Sequence, residues 1–320
     1  MDTTPFLTAY VRPTPPTRRP VAVPMDGDRA AVLGGGGSAG NAWVIGVIAG
    51  LSEAGIEVAD ADLIIGTSAG STAAAQVTSA TPSELLAQIL GSVSPPGSGR
   101  SSAADRPAPV RPAVDHFQRT TEIIAAAVGP ADMRRRLGAG ALELIATADE
   151  GAAQTQWAMT VASRLPSPHW PSGQLLVTAV DARTGEPVVF DHHSGVALAD
   201  AIAASTASGL PYRVGDDWYL DGGYRRSSEN ADLASGYARV LVLSPLGGRS
   251  RAPLGWGMHL AAQLEELRAG GSRVEAILPD GRALDAFGSN LMDLSRRAPA
   301  AEAGYEQGTA LAEQLAEFWR

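Results

Sequence analysis

Two glycine-rich turns, each lying between a short apolar strand and a helix, leave few folds open to this chain. The apolar run 29–33 leads into a series of glycines, and residues 41–54 then have the pattern of a buried helix. The apolar run 62–65 leads into a Gly-x-Ser-x-Gly turn at 66–70, which a further helix follows. Strands that alternate with helices in this way are typical of a parallel sheet with helices on both faces. The sequence therefore predicts a three-layer α/β/α fold with a mostly parallel central sheet.

The rest of the chain extends this pattern into one large domain. Further strands are predicted from apolar runs at 175–180, 187–190, 218–220, 240–243 and 274–278. Further helices are predicted at 71–79, 116–128, 131–148, 152–165, 197–205, 254–268 and 300–318. We expect the domain to span residues 29–320 and to follow a disordered, proline-rich arm at 1–28. The Gly-, Ser- and Pro-rich residues 91–112 predict a flexible loop or lid within the domain.

Composition excludes several kinds of site. The chain contains no cysteine, so disulfides, thiolate nucleophiles and cysteine-based zinc sites are ruled out. Its formal net charge of −9 argues against a nucleic-acid partner, because binding to phosphates requires a basic face. The longest apolar run, 42–51, is about half of the roughly 20 residues that a membrane-spanning helix needs, and no signal peptide is recognisable. We therefore expect a cytoplasmic protein whose contact with membranes is limited to transient surface binding.

The Gly-x-Ser-x-Gly turn predicts a nucleophilic serine. A serine hydroxyl is a poor nucleophile, and it becomes useful when a sharp turn after a strand presents it to a base. Small neighbours relieve the crowding in such a turn, and the helix that follows directs its amides and positive dipole end at the site. Ser68 is therefore the candidate nucleophile. The residues that would form its elbow are Gly66, Thr67, Ala69 and Gly70.

The glycine run at 34–40 predicts a cluster of backbone amides that binds an anion. Consecutive glycines let N–H groups approach a ligand closely, and amides at a helix N-terminus can hold a phosphate or a transient oxyanion. The run also fits the Gly-x-Gly-x-x-Gly fingerprint of dinucleotide-binding proteins, with Glu57 or Asp60 as the acidic residue. Because the next strand leads into the serine turn, for which a dinucleotide site has no use, an oxyanion hole is favoured. Its candidate residues are Gly35, Gly36, Gly37, Ser38 and Gly40.

An Asp-Gly-Gly sequence at 221–223, after a predicted strand, supplies a candidate base. Burial raises the pKa of a carboxyl group, and a carboxylate of raised pKa could accept the proton of Ser68. Gly222 and Gly223 would let the turn place the carboxylate under the serine. Asp-Gly is also a very common turn dipeptide, so the motif alone indicates an ordinary turn more readily than a catalytic base.

In this order and context, the three motifs resemble those of the patatin-like phospholipase family, and the resemblance extends over most of the chain from residue 29 onward. Two further segments, 203–205 (Ala-Ala-Ser) and 230–232 (Asn-Ala-Asp), also resemble blocks of that family. The resemblance implies a lipid acyl hydrolase with a lipid or phospholipid substrate. It implies that Ser68 is the nucleophile and Asp221 the base of a dyad without histidine. This chemistry requires no metal and no other cofactor.

The chain departs from the family pattern at two positions. Ala39 lies where the family often has a basic residue, and Gly209 lies where it usually has a proline. Arg225 and Arg226, just after the Asp-Gly-Gly sequence, are candidates for bidentate contact with a lipid phosphate. A surface or structural ion pair is the competing role for both. The oligomeric state is not predicted by any of these features.

Three further functions stay open at this point. An α/β-hydrolase with a Ser-His-Asp triad needs an acid and then a histidine after the serine, and Asp181 with His192 or His193 has that order, as does Asp221 with His259. The serine turn follows only two evident strands and no His-Gly-Gly-Gly loop precedes it, which favours the dyad. The glycine run keeps a dinucleotide-binding protein open, and the resemblance is also compatible with a catalytically silent relative that binds lipid without turnover.

Overall fold

One central sheet contains all the strands of the described residues. The computed structural model describes residues 27–92, 111–145 and 150–319. The strands in these residues are β1 Gly27–Leu33, β2 Leu63–Gly66, β3 Gln174–Asp181, β4 Pro187–Phe190, β5 Tyr212–Val214, β6 Asp217–Asp221, β7 Tyr237–Leu243 and β8 Arg273–Ile277. They form one sheet in the order β5-β6-β3-β2-β1-β7-β8, with β4 also paired to β3.

The strand directions make the sheet mixed and mostly parallel. Strand β1 is parallel to β2 and β7, and the pairs β2–β3 and β7–β8 are also parallel. Strand β3 runs antiparallel to both β4 and β6, and β6 runs antiparallel to β5. This arrangement confirms the predicted α/β class and the mostly parallel sheet.

Helices cover both faces of the sheet because successive residues of its central strands are apolar. The helices are α1 Gly37–Glu53, α2 Ala69–Val77, α3 Pro82–Gly91, α4 Arg111–Ala126, α5 Pro130–Ile145, α6 Glu150–Ala162, α7 Leu198–Ser205, α8 Leu260–Ala269, α9 Gly281–Phe287 and α10 Arg297–Trp319. Ala31 and Leu33 of β1 belong to the apolar cluster on the side of α1, α2 and α10. Ala30 and Val32 belong to the opposite cluster, to which α8 contributes. Among the residues that the structure describes, no helix combines the length and the apolar character needed to cross a bilayer.

The structure differs from the sequence-based elements in a few places. Helix α3, helix α9 and strand β5 were not predicted. The helix predicted at 254–268 is interrupted: residues Leu254–Trp256 form a separate 3₁₀ turn, Gly257 has a left-handed φ of 64°, and α8 begins only at Leu260. Residues 91 and 111–112, at the ends of the predicted loop, belong to α3 and α4, and 93–110 lie outside the described residues. Of the predicted arm 1–28, residues 27 and 28 begin β1, and 1–26 lie outside the described residues.

The last helix packs directly on the first. A Cβ atom added at Gly46 of α1 would overlap the carbonyl oxygen of Ala301 in α10, and one added at Gly304 of α10 would overlap that of Trp43 in α1. The two helix backbones are therefore as close as glycine permits. At the far end of α10, the indole Nε1 of Trp319 donates a hydrogen bond of 3.1 Å to the carbonyl oxygen of Glu57. Helix α10 thus fixes α1 against the sheet and with it the loop from which α1 starts.

Candidate active site

Ser68 lies on a strained turn between β2 and α2. Its φ of 51° and ψ of −123° fall in a region that residues with a side chain rarely adopt. The turn leaves no room for larger neighbours, because a Cβ atom at Gly66 would contact Ser71 and one at Gly70 would overlap the carbonyl oxygen of Leu33. The Gly-x-Ser-x-Gly pattern is thus a steric requirement of this turn. It leaves the Ser68 side chain partly exposed beyond the end of the sheet.

The sheet brings Asp221 to Ser68 across 153 positions of sequence. Gly66 at the end of β2 pairs with Val177 of β3, and Ala179, two residues further along β3, pairs with Asp221 at the end of β6. The Ser68 hydroxyl donates a hydrogen bond of 2.8 Å to Oδ2 of Asp221. The other carboxylate oxygen, Oδ1, accepts a bond of 2.8 Å from the amide of Gly223. Each oxygen of the Asp221 carboxylate is therefore held by one hydrogen-bond donor.

Burial makes Asp221 an unusual carboxyl group. Its side chain is 7% exposed. Desolvation raises the pKa of Asp221 from 3.8 to about 6, although the Gly223 amide and the Ser68 hydroxyl both act to lower it. A carboxyl group with such a pKa is ionised near neutral pH and still accepts a proton more readily than an exposed aspartate does. Its position and its acidity both suit a general base.

Asn230 links the two motifs that carry the pair. The residue is fully buried and has a left-handed φ of 55°. Its Nδ2 donates to Oγ1 of Thr67, the neighbour of the serine, at 3.0 Å, and to the carbonyl oxygen of Gly222, the neighbour of the aspartate, at 2.9 Å. The same Nδ2 lies 3.2 Å from Oγ1 of Thr178 on β3. One amide group thus fixes the distance between the serine turn and the aspartate turn.

The glycine loop lies against the serine but offers fewer amides than the sequence suggests. A Cβ atom at Gly35 would lie 3.2 Å from Cβ of Ser68. The amide of Gly35 already donates to the carbonyl oxygen of Ser228 at 2.8 Å, and that of Gly40 donates to Gly36 at 3.0 Å. Both of these amides are therefore engaged, which corrects the prediction that they belong to the oxyanion hole.

Three amides of the glycine loop stay available. Those of Gly36, Gly37 and Ser38 open α1, where no earlier carbonyl group of the helix can accept them. In the part of the chain that the structure describes, none of the three has a protein acceptor. Gly37 has a φ of 64°, which a residue with a side chain would adopt only with strain. These three residues are the remaining candidates for the oxyanion hole.

A buried carboxylate that the sequence analysis missed supports this loop. Glu229 is 1% exposed and accepts hydrogen bonds of 2.7 Å from the hydroxyl groups of Ser227, Ser228 and Ser244. Because the carbonyl oxygen of Ser228 holds the amide of Gly35, the Glu229 network fixes the glycine loop to the end of β7. The only signal in the sequence is a Ser-Ser-Glu triplet, which by itself indicates nothing about burial.

Arg225 and Arg226 do not face the site as free cations. Arg225 donates through Nη1 and Nη2 to the carboxylate of Asp232, at 2.9 to 3.0 Å. Arg226 forms a bidentate pair with Glu266, at 2.6 and 2.7 Å. Their charges are neutralised within the fold, so the prediction that they contact a lipid phosphate is corrected to a structural role.

The histidines considered for a triad lie in the turn after β4 and just before α8. His192 and His193 follow β4 and stack on each other with ring centroids 3.7 Å apart. His259 is the residue before the first turn of α8. Asp181 accepts hydrogen bonds from the amides of Arg183 and Thr184, which is ordinary turn geometry. In the described residues, no histidine is hydrogen-bonded to Ser68 or to Asp221.

A largely apolar cavity of about 320 Å³ opens beside the pair. Its wall includes Ala207, whose carbonyl oxygen accepts the amide of Asp221 at 3.1 Å. The same segment begins after Ser205, whose Oγ accepts the amide of Ser68 at 2.9 Å. The cavity volume lies in the range of roughly 300–1,000 Å³ that is usual for small-molecule sites. Its larger apolar lining residues are Ile145, Trp157, Leu210, Pro211, Trp218 and Met292.

Comparison with known proteins places these features in a family. The model of a family described as "Patatin-like phospholipase" matches residues 31–234, which is more than half of the 320 residues. No curated protein matches the chain at a significant level. Among solved structures, the crystal structure of VipD from Legionella pneumophila aligns with 13% identity and a TM-score of 0.41, covering 90% of this chain and 67% of that one.

Proposed function

Because this chain belongs to the patatin-like phospholipase family, whose members are serine ester hydrolases, we propose that it hydrolyses lipid carboxylic esters with Ser68 as nucleophile and Asp221 as general base. The observation that carries the proposal is the 2.8 Å hydrogen bond from the Ser68 hydroxyl to a buried carboxylate. Membership in the family implies lipid acyl hydrolase activity and a phospholipid substrate. The roles of individual residues and the steps of the reaction are part of our proposal.

In the first half of the reaction, Asp221 accepts the proton of the Ser68 hydroxyl while Oγ forms a bond to the ester carbonyl carbon. The amides of Gly36, Gly37 and Ser38 donate to the oxyanion, and the dipole of α1 stabilises its charge. When the tetrahedral intermediate collapses, the bond to the alcohol breaks, and the protonated Asp221 returns its proton to the leaving oxygen. The products of this half are the free alcohol or lysolipid and an acyl-enzyme on Ser68.

In the second half, water repeats these steps. Asp221 accepts a proton from the water molecule as its oxygen attacks the acyl carbon, and the same amides hold the new oxyanion. The bond to Oγ of Ser68 then breaks, and Asp221 gives the proton back to the serine. The carboxylic acid leaves and the dyad returns to its starting state.

The apolar cavity next to the dyad accepts the acyl chain in this proposal. Each methylene group that leaves water contributes about 0.8 kcal/mol of binding free energy. Because Ala207 of the cavity wall accepts a hydrogen bond from the amide of Asp221, an acyl chain in the cavity would have its ester near Ser68. This position supports a long-chain acyl ester over a small polar ester as the substrate.

The test is covalent labelling with a fluorophosphonate probe, which reacts with an activated serine. We expect the wild type to be labelled, Ser68→Ala to stay unlabelled, and Asp221→Asn to react about 10²- to 10⁴-fold more slowly, the usual contribution of a general base. Ser71→Ala, which removes a neighbouring hydroxyl group that donates to the carbonyl oxygen of Ser68, is the control and should be labelled. Labelling of Ser68→Ala at the wild-type rate would exclude Ser68 as the nucleophile.

A further inference from the structure

Arg297 contacts the glycine loop from the start of α10 without a carboxylate partner among the described residues. Its Nη1 donates to Oδ1 of Asn41 at 3.1 Å and lies 3.3 Å from the carbonyl oxygen of Ser38. All of its hydrogen bonds to described residues use Nη1. The Nε and Nη2 groups have no protein acceptor in the described part of the chain, and neither is fully buried. The Nε and Nη2 groups of Arg297 are therefore free to donate hydrogen bonds to a ligand near the N-terminus of α1.

Arg164 reaches the same region from the end of α6. Its guanidinium carbon lies 5.5 Å from the ring centre of Trp157, which lines the cavity. Its carbonyl oxygen accepts from Nε2 of Gln76, whose Oε1 in turn accepts from Nδ2 of Asn41, the residue that holds Arg297. A chain of hydrogen bonds thus joins the two arginine positions. Among the described side chains, none accepts a hydrogen bond from the guanidinium group of Arg164, and no carboxylate pairs with it.

Two like charges lie close together here, on a half-buried Arg297 and an exposed Arg164. Burial, and then the neighbouring charge of Arg164, lower the pKa of Arg297. Carboxylates neutralise Arg225 and Arg226, but no described carboxylate pairs with Arg164 or Arg297. A bound anion would remove this repulsion and would accept the unused donors. Guanidinium groups match the oxygen atoms of a phosphate especially well.

We infer that Arg164 and Arg297 bind the phosphate group of an anionic amphiphile whose acyl chain lies in the cavity. The cavity reaches the glycine loop, because Met292 lines it and its sulfur would lie 2.9 Å from a Cβ atom at Gly37. Arg164 lies against Trp157 of the cavity wall and Arg297 contacts Ser38 of the glycine loop, so the two arginines border both the cavity and the loop. This site rests on the proposed function for its orientation, since it places the ester of a phospholipid at the nucleophile.

Equilibrium binding tests the site independently of catalysis. The probes are octyl phosphate, inorganic phosphate and uncharged octyl glucoside, titrated into the folded wild type, Arg297→Gln, Arg164→Gln and Arg183→Gln. Arg183 is exposed in the turn after β3, so its variant matches the loss of charge away from the cavity. We expect octyl phosphate to bind at least tenfold more weakly to Arg297→Gln and Arg164→Gln, and as tightly to Arg183→Gln as to the wild type.

The inorganic phosphate and octyl glucoside titrations show whether the site binds the phosphate of an amphiphile or free phosphate. Octyl phosphate should bind the wild type at least tenfold more tightly than inorganic phosphate, because the cavity accepts the chain. Equal affinity for the two would overturn the amphiphile and indicate a site for free phosphate. Equal weakening of octyl glucoside and octyl phosphate in the arginine variants would show that the substitutions damage the cavity, which also overturns the inference.

Turnover separates this inference from the proposed function. With an anionic phospholipid and a neutral ester of the same acyl chain, both dispersed in uncharged detergent, we expect KM for the phospholipid to rise at least tenfold more than KM for the neutral ester in Arg297→Gln. Equal losses on both substrates would contradict the inference. Arginine-dependent binding of octyl phosphate by a wild type that hydrolyses neither ester would support the phosphate site and reject the hydrolase.

Discussion

At the scale of the residue, the proposed mechanism depends on a single buried carboxyl group. Asp221 contacts the serine hydroxyl through one oxygen and a backbone amide through the other, and the protein around it raises its pKa to about 6. The raised pKa makes Asp221 a better base than an exposed aspartate. It also means that the folded protein holds an ionised group in a poorly solvated place at neutral pH. Activity and stability should therefore respond to pH in opposite directions.

Activity should rise with pH through the pKa of Asp221. The free enzyme needs the ionised carboxylate, so kcat/KM should increase about tenfold per pH unit below pH 6 and level off above it. The measurement is kcat/KM for a neutral ester, whose own charge does not change with pH. A profile that is flat through pH 6, or that falls as pH rises, would contradict the role of Asp221 as base.

Stability should fall over the same range in the wild type but not in Asp221→Asn. The folded pKa of about 6 lies above the ordinary value of 3.8, so the stabilising contribution is complete below pH 3.8 and is lost as pH rises through about 6. At about pH 8 the inactive Asn variant should be the more stable by up to about 3 kcal/mol, from 1.36 kcal/mol per pKa unit. Denaturant unfolding at both ends of the range measures this, and a difference between the two proteins that does not change with pH would refute it.

Asn230 should affect turnover more than substrate binding. Asn230→Gly keeps a residue that tolerates the left-handed φ of 55° and removes the amide that links Thr67 to Gly222. Because small misplacement of reacting groups is costly, we expect kcat to fall roughly 10- to 100-fold while KM for a short neutral ester stays near the wild-type value. A loss of unfolding temperature with unchanged kcat per folded molecule would show that Asn230 has only a structural role.

The sequence was sufficient to propose the dyad but not its support. Ser68 and Asp221 each lie in a short motif at the end of a strand, and such motifs are visible without tertiary contacts. Arg297 carries no such pattern, because Ser38 and Asn41 lie at distant positions of the chain. The serines next to Glu229 do not by themselves reveal that its carboxylate is buried. The engagement of the Gly35 amide is hidden for the same reason, since the acceptor, Ser228, is far away in sequence.

At the scale of the element, close packing between α1 and α10 is the feature that holds the glycine loop. Gly46→Ala should destabilise the protein by about 1–3 kcal/mol, because the added methyl group overlaps the backbone of Ala301. Gly140→Ala in α5 is the matched control. Its methyl group would make only an ordinary contact of 3.5 Å with Ile123, so it should stabilise the helix by about 0.5–1 kcal/mol. Thermal unfolding measures the stability of both variants. Equal changes in their unfolding temperature would contradict the close packing of α1 on α10.

Element boundaries were predictable where local chemistry sets them. Helix α3 could have been predicted from Thr81, Pro82 and Glu84, since the Thr81 and Glu84 side chains form a capping box and the proline occupies the first turn. Strand β5 has only three residues, too few for a period to show. The start of α8 depends on the left-handed turn at Gly257, and a glycine alone does not reveal that conformation.

At the scale of the whole molecule, segments far apart in the chain build the cavity, and its size should limit the acyl chain. Gly209 lines the cavity and has open space where a Cβ atom would lie, so Gly209→Phe should fill the cavity without disturbing the backbone. If two or three methylene groups lose their site, kcat/KM for a dodecanoyl ester should fall roughly ten- to sixty-fold. A butyryl ester should be hydrolysed as before. Gly173→Phe, on an exposed glycine with equally open space, is the control. Equal losses on both esters would exclude the cavity as the acyl site.

The dependence of α1 on α10 has a consequence for the growing chain on the ribosome. Because α1 ends at Glu53 and α10 begins at Arg297, synthesis at about 5–20 residues per second leaves the surface of α1 uncovered for roughly ten seconds or more. During that time the nascent protein exposes the apolar, glycine-containing surface of α1, which can aggregate or bind a chaperone. A message truncated before the last helix would encode Ser68 and Asp221 but not the helix that packs on α1.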